Sequence, residues 1–338
     1  MSAKQIVSSL VVLALISSLV FSASAKFLDD KILDEIKNVN KDGPYLGLIT
    51  VYPPEAAAFD ASGIFVKESH VDLSGRRFWV GKVNKDVKAV YVKCGTGMVN
   101  AAAATQQMID FFNISGIVHF GIAGSLNKNY SYGDVVVLER VANTGNYDWL
   151  NPKDNTSHSH VIPDDLIFGN YSQPKGGDAN NNSLGLLGFR GERYFSVNGV
   201  PDVEVKETWF NSTKEWIQLA RKLEKTVELN GKGLPQKPKV VVGVSGSTAD
   251  LSLENFAYRE FLHKEFNVSS HDAESLAVLM TSSSNGYNVI AIRGLSDLSG
   301  ADRLDPGKPA PNFRDITANN TVAVVRDFIK LLRKYKKA

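Results

Sequence analysis

A single cysteine, Cys94, stands in 338 residues. No intrachain disulfide is available, so a small cystine-stapled framework is excluded and stability must come from an ordinary large core. Cys94 closes the apolar stretch VKAVYVKCG, where a buried, inert thiol is the expected reading. Charge of one sign is also lacking: 38 Lys and Arg stand against 36 Asp and Glu. That balance offers no field to nucleic acid or an anionic membrane surface, and neither is expected as a partner. The basic run Arg333, Lys334, Lys336 and Lys337 reads as the solvated end of a helix, with tethering as the other reading. Beyond the first 25 residues no apolar run reaches spanning length. The pair Gly95 and Gly97 has the shape of a ligand-approaching turn but fits neither a P-loop nor a full dinucleotide fingerprint. No cofactor or metal is expected, and neither an internal repeat nor a dividing linker stands out.

What is present begins at the N-terminus. Lys4 gives a weakly basic start, Ile6–Phe21 is largely apolar, and Ala23-Ser24-Ala25 fits a small-x-small cleavage site. Residues 1–25 therefore read as a secretory signal peptide. The run is short for a span and broken by serines, which weighs against a membrane anchor. Residues 26–338 read as one domain on the secretory route, with vacuole and extracellular space both open. Eight asparagines stand in N-x-Ser/Thr sequons: Asn113, Asn129, Asn155, Asn170, Asn181, Asn211, Asn267 and Asn319. Each is a candidate glycan site in a secreted chain.

Strand-like and helix-like stretches alternate. An amphipathic helix is expected over Lys26–Asn38. The strand Tyr45–Val51 is stopped by Pro53-Pro54, which places Glu55 beside the start of a helix. Ile64–Val71 and Arg76–Val83 form a predicted hairpin about Ser74-Gly75. Val87–Val92 leads through Gly95 and Gly97 to a helix over Val99–Phe112. The strand Ile117–Phe120 runs into the small residues Gly121–Ser125, and another strand covers Gly133–Val141. Residues 143–201 are a polar insertion, expected as a long loop or lid. A helix over Ser212–Leu229, a strand over Lys239–Val244 and a helix over Leu253–Phe266 follow. Glu274 falls in the apolar helix Ala273–Met280, Asp297 just past the strand Tyr287–Ile292, and a helix over Asp315–Lys334 ends the chain. This alternation predicts a three-layer α/β/α sandwich with a mixed central sheet.

Glu55, Glu274 and Asp297 are three carboxylates at element ends in apolar surroundings. Each alone has a structural reading: a cap for Glu55, an exposed helix face for Glu274, a turn cap for Asp297. Together, after elements of one sheet, they mark the kind of crevice where ligands collect.

The pieces GLITVYPPEAAAF, CGTGMVNAAAA, FGIAGSL with YGDVVV, VVGVSGS, HDAESLAVL and IRGLSDLSG occur in this order. In order and spacing the chain resembles the nucleoside phosphorylase/nucleosidase superfamily, in particular the nucleosidases that cleave methylthioadenosine and S-adenosylhomocysteine. It is similar above all to the secreted plant branch of bark and vegetative storage proteins. The resemblance covers nearly all of the mature chain, apart from the first helix and the polar insertion. It implies a nucleoside phosphorylase-like fold and a homo-oligomer. It implies that Glu55 activates the attacking water, Glu274 binds the ribose hydroxyls and Asp297 protonates a purine at N7. Ser296 would orient Asp297, the backbone around Gly294 would read the base edge, and Gly95, Gly97 and Met98 would lie near the anion or water site. Three positions depart from the pattern. Ala273 replaces the usual methionine against the sugar, Ala249 replaces a base-stacking phenylalanine, and Met98 stands where many relatives place a serine. The phosphate-holding arginines have no match, unless folding brings back Arg76, Arg77 or Arg140. A purine nucleoside or free base is thus the expected ligand, with water rather than phosphate as nucleophile. The alternative is a glycosylated nitrogen-storage protein with weak or no activity.

Overall fold

Turn and breaker residues divide the chain much as their chemistry requires. A computed structural model describes residues 29–150, 167–168, 186–300 and 313–337. The expected signal peptide, most of the polar insertion, and the sequons at Asn155, Asn170 and Asn181 lie outside these residues. The chain divides into two compact units, Met1–Asp42 and Gly43–Ala338. In the first, Asp29 caps helix α1 (Asp30–Lys41) by accepting from the Lys31 N–H at 3.1 Å.

The second unit begins with β1 (Tyr45–Thr50), α2 (Pro53–Ala61) and the hairpin β2 (Phe65–Leu73) and β3 (Arg76–Val83). Ser74 and Gly75 turn the hairpin with φ of 47° and 83°. Next come β4 (Val87–Lys93), α3 (Met98–Phe111), β5 (Ile114–Ser125) and β6 (Val135–Asn143). Small pairings follow: β7 (Tyr147–Leu150), β8 (Ile167–Phe168) and β9 (Leu186–Phe189) form one sheet, β10 (Glu192–Tyr194) and β11 (Val205–Glu207) another. The chain then runs through β12 (Trp209–Asn211), α4 (Lys214–Ala220), α5 (Leu223–Thr226), β13 (Val240–Thr248) and α6 (Phe256–Phe266). It ends with β14 (Val268–Asp272), α7 (Ser275–Ser284), β15 (Val289–Leu298) and α8 (Arg314–Lys337).

The main sheet has the order β12-β6-β13-β14-β5-β1-β4-β3-β2, with β15 paired to both β5 and β6. Pairing is parallel at the centre (β1 with β4 and β5, β15 with β5) and antiparallel toward the hairpin. The sheet is therefore mixed, as expected. Helices α2, α4 and α8 pack on one face and α3 with α7 on the other, giving three layers. On the first face Phe59 of α2 meets Tyr91 and Phe120 at ring-centroid distances of 4.9 and 5.2 Å, and Trp216 of α4 meets Phe328 of α8 at 5.8 Å. On the other, a Cβ at Gly47 would stand 2.6 Å from Met108 Sδ, so glycine lets α3 approach β1 closely. These contacts fix the carboxyl ends of β1, β4, β5 and β15, where the candidate acids sit.

Several elements differ from expectation. The predicted helix Ser212–Leu229 is broken at Arg221–Lys222 into α4 and α5, which still buries Trp216, Leu219, Ala220 and Leu223. Strand β14 was hidden by its polar sequence, because Ser269, Ser270, His271 and Asp272 are all buried. Glu274 is the N-cap of α7 rather than a residue within it. Asp297 lies in β15, which runs on through Arg293 and Gly294 instead of ending at Ile292. The insertion carries ordered strands within its described part.

Candidate functional site: a buried arginine among carboxylates

The two prolines opening α2 turn the chain so that Glu55, at its third position, faces back toward the sheet. Glu55 is only 2% exposed. One oxygen, Oε2, accepts from the N–H of Val51 at 2.7 Å and of Tyr52 at 3.4 Å. The other, Oε1, accepts from the N–H of Ile122 at 2.8 Å. The residue thus caps its own helix, as its structural reading has it, and also reaches across to β5. Burial pushes its pKa from 4.5 to about 7, against the Arg293 charge and the N–H groups of Ile122 and Val51.

Arg293, fully buried in β15, is the hub of the site. Its Nε donates to Ser275 Oγ at 2.9 Å and lies 2.9 Å from Asp272 Oδ2. Its Nη2 lies 3.7 Å from Glu274 Oε2 and donates to His119 Nε2. A carbonyl only accepts, so the contact of His119 Nδ1 with the Ile49 carbonyl at 3.1 Å places the proton on Nδ1 and the lone pair toward Arg293. Burial, with the Arg293 charge, holds His119 well below its usual pKa and therefore neutral. Burial works against the Arg293 charge, but Asp272, Glu274 and Glu55 keep it ionised. Its Nη1 is buried and has no hydrogen-bond partner among the described residues. A Cβ on Gly121 would stand 2.1 Å from Glu55 Oε1 and 2.6 Å from Arg293 Nη1. The glycine therefore lets a carboxylate oxygen and an unpaired cationic N–H pack directly against the β5 backbone, where any side chain would displace them.

Asp272 organises the start of α7. Its Oδ1 accepts from Thr248 Oγ1 at 2.8 Å and from the N–H of Glu274 and Ser275 at 3.0 and 2.9 Å; Oδ2 accepts from Ser275 Oγ at 2.6 Å. Burial alone would raise its pKa, but the Arg293 charge and these bonds outweigh it and hold the group at about 2. Glu274 is buried, and its Oε1 accepts from the Gly97 N–H at 2.9 Å. Burial raises its pKa against Arg293, with Asp272 adding to the rise. Gly95 and Gly97 have φ of 91° and 95°, which sets this turn, and the Met98 N–H donates to Asp250 Oδ1 at 2.8 Å. Two carboxylates thus occupy the first N–H groups of α3.

Asp297 keeps exposed surface, yet the protein around its carboxyl raises its pKa, opposed by a 2.7 Å hydrogen bond from Ser296 Oγ. It lines a 190 Å³ cavity with Ser125, Tyr130 and Tyr132. Tyr52 relates it to the other two acids. Burial pushes the phenol to about 12, with Glu55, Asp297 and Glu274 all contributing. The three predicted acids and Ser296, Gly95, Gly97 and Met98 therefore gather at one edge of the sheet. Gly294 does not face this space, since a Cβ there would meet Thr321 Oγ1 at 2.2 Å against α8. Of the three arginines in question, Arg76 does fold back onto the Gly95 turn, bonding the Cys94 carbonyl at 3.5 Å. Arg77 is engaged by Asp72 at 2.7 and 2.8 Å, and Arg140 stacks over Trp209 and bonds Ser245 Oγ at 3.0 Å.

Sequence reasoning gave no role to Arg293, Asp272, Ser275, His119 or Tyr52. The available signal was an arginine inside the apolar run VIAIRGL, because such a charge is buried only with partners. Cys94 is buried and its thiol is pushed to about 12, which makes it inert as expected. Among the described residues no group of His, Cys, Asp and Glu is placed to hold a metal.

Comparison with known proteins gives the family and the fold. The family model described as the phosphorylase superfamily matches residues 45–330. Bark storage protein A of Populus deltoides is 34% identical over 264 residues, 75% of this chain and 80% of that protein. A 5′-methylthioadenosine/S-adenosylhomocysteine nucleosidase of Listeria monocytogenes is 34% identical over 98 residues, 29% of this chain and 40% of that protein. Among solved structures, the Helicobacter pylori nucleosidase of that name superposes with a TM-score of 0.56 at 17% identity, covering 86% of this chain and 99% of that one. Futalosine hydrolase of the same organism reaches 0.58 at 17% identity, covering 85% and 99%. With its nucleosidase-like α/β fold and a family match spanning most of its length, the chain belongs to the phosphorylase superfamily.

Proposed function

We propose that the protein is a purine-nucleoside N-ribohydrolase, and the observation that carries this is the gathering of Glu55, Glu274 and Asp297 about Tyr52, with the raised pKa of Glu55. A water beside Glu55 would give a proton to its carboxylate as the water oxygen bonds to C1′ of the ribose. The C1′–N9 bond breaks, its electron pair passes to the purine, and Asp297 delivers a proton to N7. Glu274 would hold the ribose hydroxyls and, with Glu55, stabilise the positive charge that develops on the sugar. A Glu55 pKa near 7 suits a base at neutral pH, and the raised pKa of Asp297 suits an acid. The test is a nucleoside panel assayed for free base with and without phosphate. Phosphate-independent release, lowered at least a hundredfold by Asp297→Asn, is the expected result, at the level general acids contribute. Equal rates for wild type and the variant would refute the assignment.

A second reading has its own support. The similarity to bark storage protein A extends over 75% of the chain, and all five sequon asparagines among the described residues (Asn113, Asn129, Asn211, Asn267 and Asn319) are exposed. We propose on this basis a glycosylated protein of the secretory route, vacuolar or extracellular, that also serves as a nitrogen store. Abundance far above enzyme levels in storage tissue, with a mass shift on glycan removal, is expected. Low abundance in every tissue would count against storage. A homo-oligomer is part of the same proposal and is read directly from mass in solution.

A further inference from the structure

A second arginine is buried without a buried acid to match it. Arg259, in α6, is 2% exposed. Its Nη1 donates to the Ser299 carbonyl at 2.9 Å, its Nη2 lies 3.4 Å from Glu260 Oε1, and its Nε has no hydrogen-bond partner among the described residues. Glu260 is exposed and is shared with Lys128. Arg293, by contrast, meets the buried Asp272 at 2.9 Å. Burying a guanidinium on such poor terms is costly. Holding α6 to the sheet does not require it, because Leu262 and Phe266 already pack that helix against Leu126 and Val268. What an apolar side chain could not supply is the bond to the Ser299 carbonyl.

That carbonyl lies two residues beyond Asp297, where the chain needs an anchor. Strand β15 keeps register with β5 as far as Leu295 opposite Ala123, and then Asp297 falls opposite Gly124. Ser296 is the extra residue, a bulge of the kind that re-aims a side chain. Beyond it the strand is drawn back, with the Ser299 N–H donating to the Ser125 carbonyl at 3.0 Å. A Cβ on Gly124 would stand 2.0 Å from Ser299 Oγ and 3.2 Å from Asp297 Oδ2, so both side chains lie over this glycine. Gly300 then packs on the start of α6, where a Cβ would stand 2.4 Å from the carbonyl carbon of Asn255. Through Glu260, Arg259 also reaches Lys128, which lines the same 190 Å³ cavity as Asp297. One buried side chain thus braces both the exit of β15 and the connection from β5 to β6.

We infer that Arg259 is a positioning residue for Asp297, fixing the exit of β15 so that the carboxyl stays over Gly124 and is held for proton delivery to the leaving base. The inference rests on the nucleosidase reading above, in which Asp297 delivers that proton. Arg259 acts through the backbone of residues 297–299 and touches no reacting group. With the Ser299 carbonyl released, the segment after the bulge keeps its Ser299 N–H bond but loses its tie to α6, and the carboxyl loses its fixed place. A proton donor displaced by about 1 Å costs up to about a hundredfold in rate.

The test is a double-mutant cycle with the full chain, measuring base release from adenosine or from whichever nucleoside of the panel above is cleaved fastest. Arg259→Met keeps the bulk and removes the donors. It is expected to lower kcat by about thirtyfold while changing KM by less than about threefold. In the Asp297→Asn background the same substitution should lower kcat by less than about threefold, because the group it positions is gone. Arg259→Lys keeps one donor for the Ser299 carbonyl and should lose less than about tenfold in kcat. If Arg259→Met does not fold, the Lys variant carries the same comparison in both backgrounds. Equal losses in the two backgrounds would make Arg259 a stabiliser of the fold alone and overturn the inference, leaving the nucleosidase reading intact. An unchanged kcat in Arg259→Met would do the same. Wild-type protein that releases no base from any purine nucleoside would overturn the nucleosidase reading, and the role of Arg259 with it.

Discussion

Replacing Glu55 by Gln should change how stability depends on pH. In the folded protein Glu55 titrates near 7, and in the unfolded chain near 4.5. Between those values the folded state holds a proton that the unfolded state has lost, so stability falls as pH rises through the window. At about 1.4 kcal/mol per pH unit, this one group costs about 3 kcal/mol between pH 4.5 and pH 8. Gln cannot ionise, so the variant lacks that dependence. It has its own defect: both Glu55 oxygens accept backbone N–H groups, and an amide supplies only one oxygen. One backbone donor then faces an NH₂ group, at about 1–3 kcal/mol. The variant is therefore expected to be less stable than wild type at pH 5 and to equal or exceed it at pH 8. Urea unfolding followed by far-ultraviolet circular dichroism at pH 5, 6, 7 and 8 measures both curves. The wild-type-minus-variant difference should shrink by about 3 kcal/mol across the series. A constant difference would show that Glu55 has an ordinary pKa, and with it would go the argument that this residue is a base poised for neutral pH.

Other outcomes follow from the same contacts. Gly121→Ala would force a Cβ to within 2.1 Å of Glu55 Oε1, so it should cost about 1–3 kcal/mol in melting experiments and abolish base release by displacing Glu55; an active variant would mean that Glu55 need not hold this position. Asp272→Asn leaves the buried Arg293 short of its nearest counter-charge and should cost about 3–5 kcal/mol. Because Asp272 is held at about 2, its contribution is present above about pH 4 and is lost as pH falls toward 2, so the wild-type advantage in acid titration should fade there. The Cys94 thiol, pushed to about 12, should resist alkylation at pH 8 until the protein unfolds, and rapid modification of the native state would contradict its burial.

The fold was largely legible because its strands and helices announce themselves locally. Val, Ile and Leu runs ended by Gly or Pro mark β1, β4 and β6, and Ser74-Gly75 marks the hairpin. Strand β14 was not legible, because SSHD has no apolar pattern and its polar side chains are buried against partners far away in sequence. Ser247 Oγ meets His271 at 3.0 Å and Thr248 meets Asp272 at 2.8 Å. Glu274 looked like a helix residue for the same reason. Only Asp272, by capping α7, moves the helix start one residue beyond it.

The sequence by itself determined the layered α/β architecture, the positions of three acids near element ends and the inertness of a lone buried thiol. These depend on local propensity, on breakers and on composition. The tertiary structure alone decided that an arginine in the core pairs with one of those acids, Glu274, and that Asp272 and a neutral His119 hold it. It also turned Arg76 back over the Gly95 loop. Charges become chemistry through distance and burial, and residues 119, 272 and 293 acquire both only when β5, β14 and β15 are laid into one sheet.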